Sequence, residues 1–192
     1  MAKTFKDGFM YPFNNMKRLF NFWWVLVPVV GIFAVIGYFR EIVEGLLKKK
    51  DKELPEFKGF LRLTKKGFMF FLIMLLPAIL AMMLSGVLNS LFSSTSLGKI
   101  VYFVLMLFVD FYLAMLYINY VKEDKFEAVF DVKKVWEKIS KDWNKTLHAF
   151  LMQALLMCVF LLMSVFVITL IITVPAMSFT GYYYLVELYN KA

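Results

Sequence analysis

Residues Gly67–Gly98, GFMFFLIMLLPAILAMMLSGVLNSLFSSTSLG, run for 32 positions without one charge. About 20 apolar residues carry a helix across the hydrocarbon of a bilayer, so this run is long enough to cross and to begin a return. Three other stretches share its character. Leu19–Phe39 has no charge in 21 residues, Ile100–Val121 has only Asp110, and Thr146–Val186 has no charge beside the neutral His148. A soluble chain of 192 residues that is 61% hydrophobic could not bury this much apolar surface. The expected fold is all-α: a polytopic integral membrane protein with about four to five membrane helices, its residues 1–192 forming one membrane domain. No cleavable signal peptide is recognisable, because the N-terminal segment is polar and aromatic-rich. Cys158 is the only cysteine, which excludes a disulfide framework and a thiolate metal site.

The net charge of +8 is distributed unevenly. Lysines and arginines gather in residues 3–18, 40–66 and 121–145, while Asn89–Lys99 contributes Lys99 alone. Positive residues accumulate on the cytoplasmic side of membrane proteins. The 40–66 and 121–145 connectors are therefore expected to be cytoplasmic, in a cell-membrane protein whose 89–99 connector faces outward. Lysine clusters beside a membrane favour anionic lipid headgroups. Nucleic acid is not an expected partner, since its recognition calls for a basic folded face with stacking platforms.

This rule creates a conflict at the start of the chain. If Leu19–Phe39 crosses once, the basic N-terminus and the basic 40–66 connector lie on opposite sides. Pro28 lacks an amide proton and Gly31 tolerates a bend. A kinked single span and a re-entrant hairpin both fit, and the plain span is the simpler of the two. Thr146–Val186 raises a similar question. It is expected to hold a long helix to about Thr173, a break at Val174–Pro175, and a shorter segment over Ala176–Asn190 with its tyrosines near an interface. Pro77 marks a third break, and broken helices at Pro28, Gly31, Pro77 and Pro175 are candidates to line a cavity.

The connectors are amphipathic. Val132, Val135, Trp136, Ile139 and Trp143 recur at helical spacing, with Lys133, Lys134, Lys138 and Lys141 between them. This describes a helix lying in the membrane surface, its four lysines touching lipid headgroups. The bland alternative is a helix packed on the protein's own cytoplasmic side.

Several short stretches carry a resemblance. Phe9-Met10-Tyr11-Pro12-Phe13 with Lys17-Arg18-Leu19 opens the series. Pro28-Val29-Val30-Gly31 with Gly37-Tyr38-Phe39-Arg40, Glu53-Leu54-Pro55-Glu56-Phe57 with Lys66-Gly67, and Asn119-Tyr120 with Phe126 and Phe130 follow in order. Together they resemble a prokaryotic, largely archaeal, membrane-protein family catalogued as domain of unknown function 4013. The resemblance implies a multi-helix membrane domain and brings no activity with it. Nineteen lysines against three arginines point to an AT-rich source.

Asp110 is the main candidate for chemistry, because an ionised group inside a spanning helix costs about 2.5–3.5 kcal/mol on insertion scales. It is either a protonatable group on an ion or solute path or a structural aspartate partnered by Ser85, Ser164 or Gln153. His148 has no ligand spacing around it, so no metal site is expected. Glu41 and Glu44 read as solvated charges. There is no nucleophile elbow, glycine-rich phosphate loop or HExxH motif, and no cofactor is expected. The first expectation is a non-catalytic membrane module that binds a membrane-protein partner, lipids or further copies of itself. The alternative is an oligomeric small transporter or channel subunit with Asp110 on its path, and a membrane enzyme is the weakest reading.

Overall fold

The charge-free run becomes the larger part of a helical hairpin. In a computed structural model that describes residues 3–50, 52–166 and 169–191, α4 (Phe60–Phe92) ends at Ser93, and α5 (Ser96–Glu123) starts after Thr95. The Thr95 hydroxyl accepts from the Gly98 amide at 3.0 Å, satisfying one of the donors a helix start leaves open. Asp124, left-handed at φ 54°, closes α5. A 3-10 turn over Phe126–Val129 leads into α6 (Val132–Ser140), and α7 (Trp143–Met163) follows. Asp131 and Asp142 cap these two helices, each accepting at 3.1 Å from an amide three residues on. The chain closes with α8 (Leu170–Thr180) and α9 (Tyr183–Lys191). No strand occurs among the described residues.

Among the described residues three helices are long and apolar enough to cross a membrane: α4, α5 and α7. Only 11%, 22% and 28% of their most apolar windows are buried inside the protein. The outward faces, Leu72, Leu76, Met83, Leu107, Leu151 and Leu162 among them, suit lipid. This is a membrane protein.

The first apolar run is not one helix. Four short elements precede its break: α1 (Phe5–Met10), a 3-10 turn over Phe13–Asn15, α2 (Met16–Leu19) and a 3-10 stretch over Phe20–Leu26. The chain turns at Val27–Val29, with Val29 at φ 61°, and α3 (Val30–Leu47) departs. The two flanks of the run are bonded to each other. Asn14 Nδ2 donates to the Lys52 carbonyl at 2.6 Å, and Arg18 donates to the Leu54 carbonyl and pairs with Glu53 at 3.2 Å. One crossing would hold these flanks about 30 Å apart. The start of the run and the connector after α3 therefore lie side by side in this fold, and Pro28 falls at the turn before α3.

α3 packs against the first third of α4 more closely than side chains allow. A Cβ on Gly37 would overlap the Leu63 carbonyl, and one on Gly67 would overlap the Phe33 carbonyl. Glycine at both positions lets the two backbones touch, the usual device where helices associate in lipid. Phe33 then meets Phe68 and Phe71 at 5.2 and 5.6 Å. Glu41 bonds Arg62 and lies 3.2 Å from Lys66, and Glu44 lies 3.0 Å from Arg40 and 3.5 Å from Lys66. Neither glutamate is the merely solvated charge suggested by its connector position. They bridge α3 to α4.

The last apolar stretch breaks earlier than its proline suggests. α7 ends at Met163, and α8 runs through Pro175 without interruption. Pro175 cannot donate to the Ile171 carbonyl one turn back, but Trp23 Nε1 does so at 3.2 Å. With that acceptor satisfied from outside, the helix continues. Pro77 likewise sits inside an unbroken α4.

The buried core lies at the end where α3, the last third of α5, α8 and α9 converge. Arg40 of α3 donates to Tyr120 Oη at 2.9 Å and to Asp124 of α5. Tyr189 of α9 donates to Asn119 Oδ1 at 2.5 Å, while Asn119 Nδ2 donates to the Ala128 carbonyl at 2.7 Å. The buried Arg40 and Asn119 side chains are thus paired, as burial requires.

Candidate functional site

A cleft of about 940 Å³ opens between α5 and α7. One stripe of α5 forms a wall: Phe103, Leu107, Asp110, Ala114 and Tyr117 follow each other at three or four residues, so they share a face. Phe150, Ala154, Met157 and Cys158 of α7 form the other wall, and Val174, Met177 and Ser178 of α8 contribute to the floor with Tyr182. The two walls meet through rings, Phe111 and Phe108 lying 5.6 and 6.3 Å from Phe150. The lining is almost wholly apolar, with a few polar groups, the usual composition of a small-molecule site.

Among the described residues two polar groups in the cleft have no hydrogen-bond partner. Tyr117 Oη is buried and bonds none of them. Its ring is held between Phe70 at 4.7 Å and Tyr182 at 4.8 Å, so the hydroxyl is fixed by packing alone. An unmade bond to a buried hydroxyl costs about 1–3 kcal/mol. The Asp110 side chain stands exposed on the α5 wall, with no hydrogen bond or ion pair among the described residues. The three partners considered from sequence are engaged elsewhere. Ser85 bonds Tyr102 at 2.9 Å, Ser164 bonds Thr173 at 2.7 Å, and Gln153 donates to the Thr180 carbonyl at 3.1 Å while accepting from the Tyr184 amide.

The prolines and Gly31 do not line this cleft. Pro28 lies in the turn of the N-terminal hairpin and Gly31 in the first turn of α3, where a Cβ on Gly31 would overlap the Trp24 carbonyl. Pro77 lines a shallower groove of about 510 Å³ beside Phe108, Tyr112 and Trp136. Pro175 is buried within α8. No group of three or more His, Cys, Asp or Glu residues able to hold a metal occurs among the described residues.

The four lysines of α6 divide into two pairs. Lys134 Nζ bonds Glu123 at 2.9 Å. Lys138 Nζ donates to the Tyr189 carbonyl at 3.3 Å and lies 4.5 Å from the Tyr189 ring centre. Burial, then the nearby charges of Lys122, Lys141 and Lys134, pushes the Lys138 ammonium below its usual range. Lys133 and Lys141 are exposed. The apolar face is similarly split: Val135 and Ile139 are buried, whereas Val132, Trp136 and Trp143 remain outward.

Residues 20–177 match the model of the family described as Protein of unknown function (DUF4013). The chain belongs to that family. The match runs from the N-terminal hairpin through α8 and so takes in both walls of the cleft. No curated protein and no solved structure matches the chain.

Sequence pattern alone singles out Asp110 in this site and misses Tyr117 and Tyr182. Stripe membership of Tyr117 with Phe103, Leu107 and Asp110 is visible in the spacing. What the spacing does not reveal is which helix faces the stripe, and here that neighbour stands off.

Proposed function

We propose that this DUF4013 protein is a non-catalytic membrane module that seats a lipid chain in the cleft between α5 and α7. The observation carrying this reading is the cleft itself: a large apolar groove between two membrane helices that touch mainly through aromatic rings. The unpartnered Tyr117 hydroxyl and the Asp110 carboxyl supply a place for a guest's polar end.

The topology that goes with it has four passes in the cell membrane. The N-terminal segment bonds the Lys52–Glu56 connector, Lys3 N donates to Glu187 at 3.2 Å, and Asn190 donates to the Leu47 carbonyl at 3.3 Å. Both ends and the first connector thus belong to one side, the cytoplasmic one by charge. Leu19–Phe39 is then a re-entrant hairpin, α4, α5 and α7 each cross, and α8 with α9 returns. Lys133 and Lys141 touch anionic headgroups beside Trp136 and Trp143.

Cys158 provides the test, being the only cysteine, exposed, and on the cleft wall. Protein extracted in mild detergent should carry about one lipid per chain by native mass spectrometry, and that lipid should protect Cys158 from maleimide. Ala114→Trp with Ala154→Trp should fill the cleft and abolish both effects. Retention of the lipid by the filled variant sinks the proposal, and so does a stoichiometric protein in its place.

A second reading, a small transporter or channel subunit, is favoured by Asp110, a carboxyl without a partner on the cleft wall. Purified protein in liposomes that moves solute, with Asp110→Asn inactive yet equally folded, would replace the first reading.

A further inference from the structure

We infer that a second site, on the opposite end of the chain's chemistry, binds a phosphorylated group. α1, the end of α3, the residues after it and α9 enclose a pocket of about 800 Å³. Among the described residues five lysines line it, Lys3, Lys6, Lys49, Lys52 and Lys191, against two carboxylates. Both acids are already committed. Asp7 accepts from the Thr4 amide at 2.7 Å and the Thr4 hydroxyl at 2.9 Å, closing its own helix cap. Glu187 accepts from Lys3 N and from Lys191 Nζ. No carboxylate lies within ion-pair distance of Lys6, Lys49 or Lys52 among the described residues.

The backbone points the same way. The end of α3 forms a Schellman turn, Lys50 N donating to the Gly45 carbonyl at 2.9 Å and Lys49 N to that of Leu46 at 3.0 Å. The left-handed position of this turn is normally glycine. Here it is Lys49, at φ 58°. A left-handed conformation disfavours any residue with a Cβ, so the fold accepts strain and holds a cation at the pocket wall. The walls themselves are tied: Asn14 bonds the Lys52 carbonyl and Asn190 the Leu47 carbonyl. Lysines from three separate parts of the chain therefore converge on a pocket with hydrogen-bonded sides. Uncompensated ammonium groups around a cavity of headgroup size select a multiply charged oxyanion, a phosphate ester. Met10 and Leu46 add an apolar edge. This inference stands apart from the α5–α7 cleft.

The test uses the 192-residue protein in a neutral detergent, titrated in two arms: a short-chain phosphatidic acid, whose headgroup is a phosphomonoester, and inorganic pyrophosphate. Binding is read by thermal shift and its salt dependence. Three proteins are compared: wild type, the pocket variant Lys6→Gln, Lys49→Gly, Lys52→Gln, and a charge-matched variant Lys17→Gln, Lys65→Gln, Lys125→Gln. With three ammonium groups removed, the pocket variant should bind at least tenfold more weakly. The charge-matched variant should stay within twofold of wild type. Lys49→Gly relieves the left-handed strain, so the pocket variant should fold normally. Response to the lipid alone assigns a lipid headgroup, and an equal response to pyrophosphate assigns a free phosphate compound. Equal binding by wild type and pocket variant, equal loss in the charge-matched variant, or no response in either arm overturns the site.

Discussion

The two ends of α4 face different solvents. Its first turns, Arg62–Phe71, lie against α3 with backbones touching at Gly67 and ion pairs to Glu41 and Glu44. Its last turns, from Met82 to Leu91, expose nearly every apolar side chain, and a Cβ at Gly86 would meet nothing within 4 Å. Where helix meets helix, glycine, arginine, asparagine and tyrosine are placed by shape and by bonds that must be made. Where helix meets lipid, any apolar residue of helical habit suffices.

The glycines give the largest contrast. Gly67→Leu should destroy the α3–α4 crossing and lower stability by more than about 4 kcal/mol. Gly86→Leu on the same helix should change it by less than about 0.5 kcal/mol. Thermal melts of both variants in one detergent measure the difference, and similar losses would erase the distinction drawn between the two ends.

Arg40→Met should come next. Arg40 is buried but Asp124 is 74% exposed, so water can take over one partner, and the loss should be about 1–3 kcal/mol. Tyr189→Phe leaves Asn119 Oδ1 without its donor and should cost about 1–2 kcal/mol. Both are read by chemical denaturation in mixed micelles. A neutral Tyr189→Phe would mean that the Asn119 pair holds little of the base together.

The smallest effect should be at Asp110. With no bond to lose, Asp110→Asn should leave the melting temperature within about 1 °C, corresponding to a few tenths of a kcal/mol. A large drop would show that the carboxyl belongs to the packed region rather than to the open cleft.

The spanning helices were legible because length and missing charge read directly against bilayer thickness. The direction of the first run was not. Pro28 and Gly31 marked a bend, but only the bonds from Asn14 and Arg18 to the Lys52–Glu56 segment fix the chain as doubled back. Pro175 misled for the converse reason: the Ile171 carbonyl it leaves open finds a donor 148 residues away in sequence. The cleft was half legible. Asp110 announced itself as an acid in an apolar helix, whereas Tyr117 is ordinary in sequence and becomes unusual only where its hydroxyl has nothing to bond.

The contact between Trp23 and Ile171 also says something about biosynthesis. Ile171 is translated 148 residues after Trp23, yet the carbonyl that Pro175 leaves open accepts from that indole. The N-terminal hairpin thus supplies a bond to α8 and is made well before it. A ribosome-stalled chain stopping before Leu170 should leave Trp23 open to quenchers, and release of the full chain should close it.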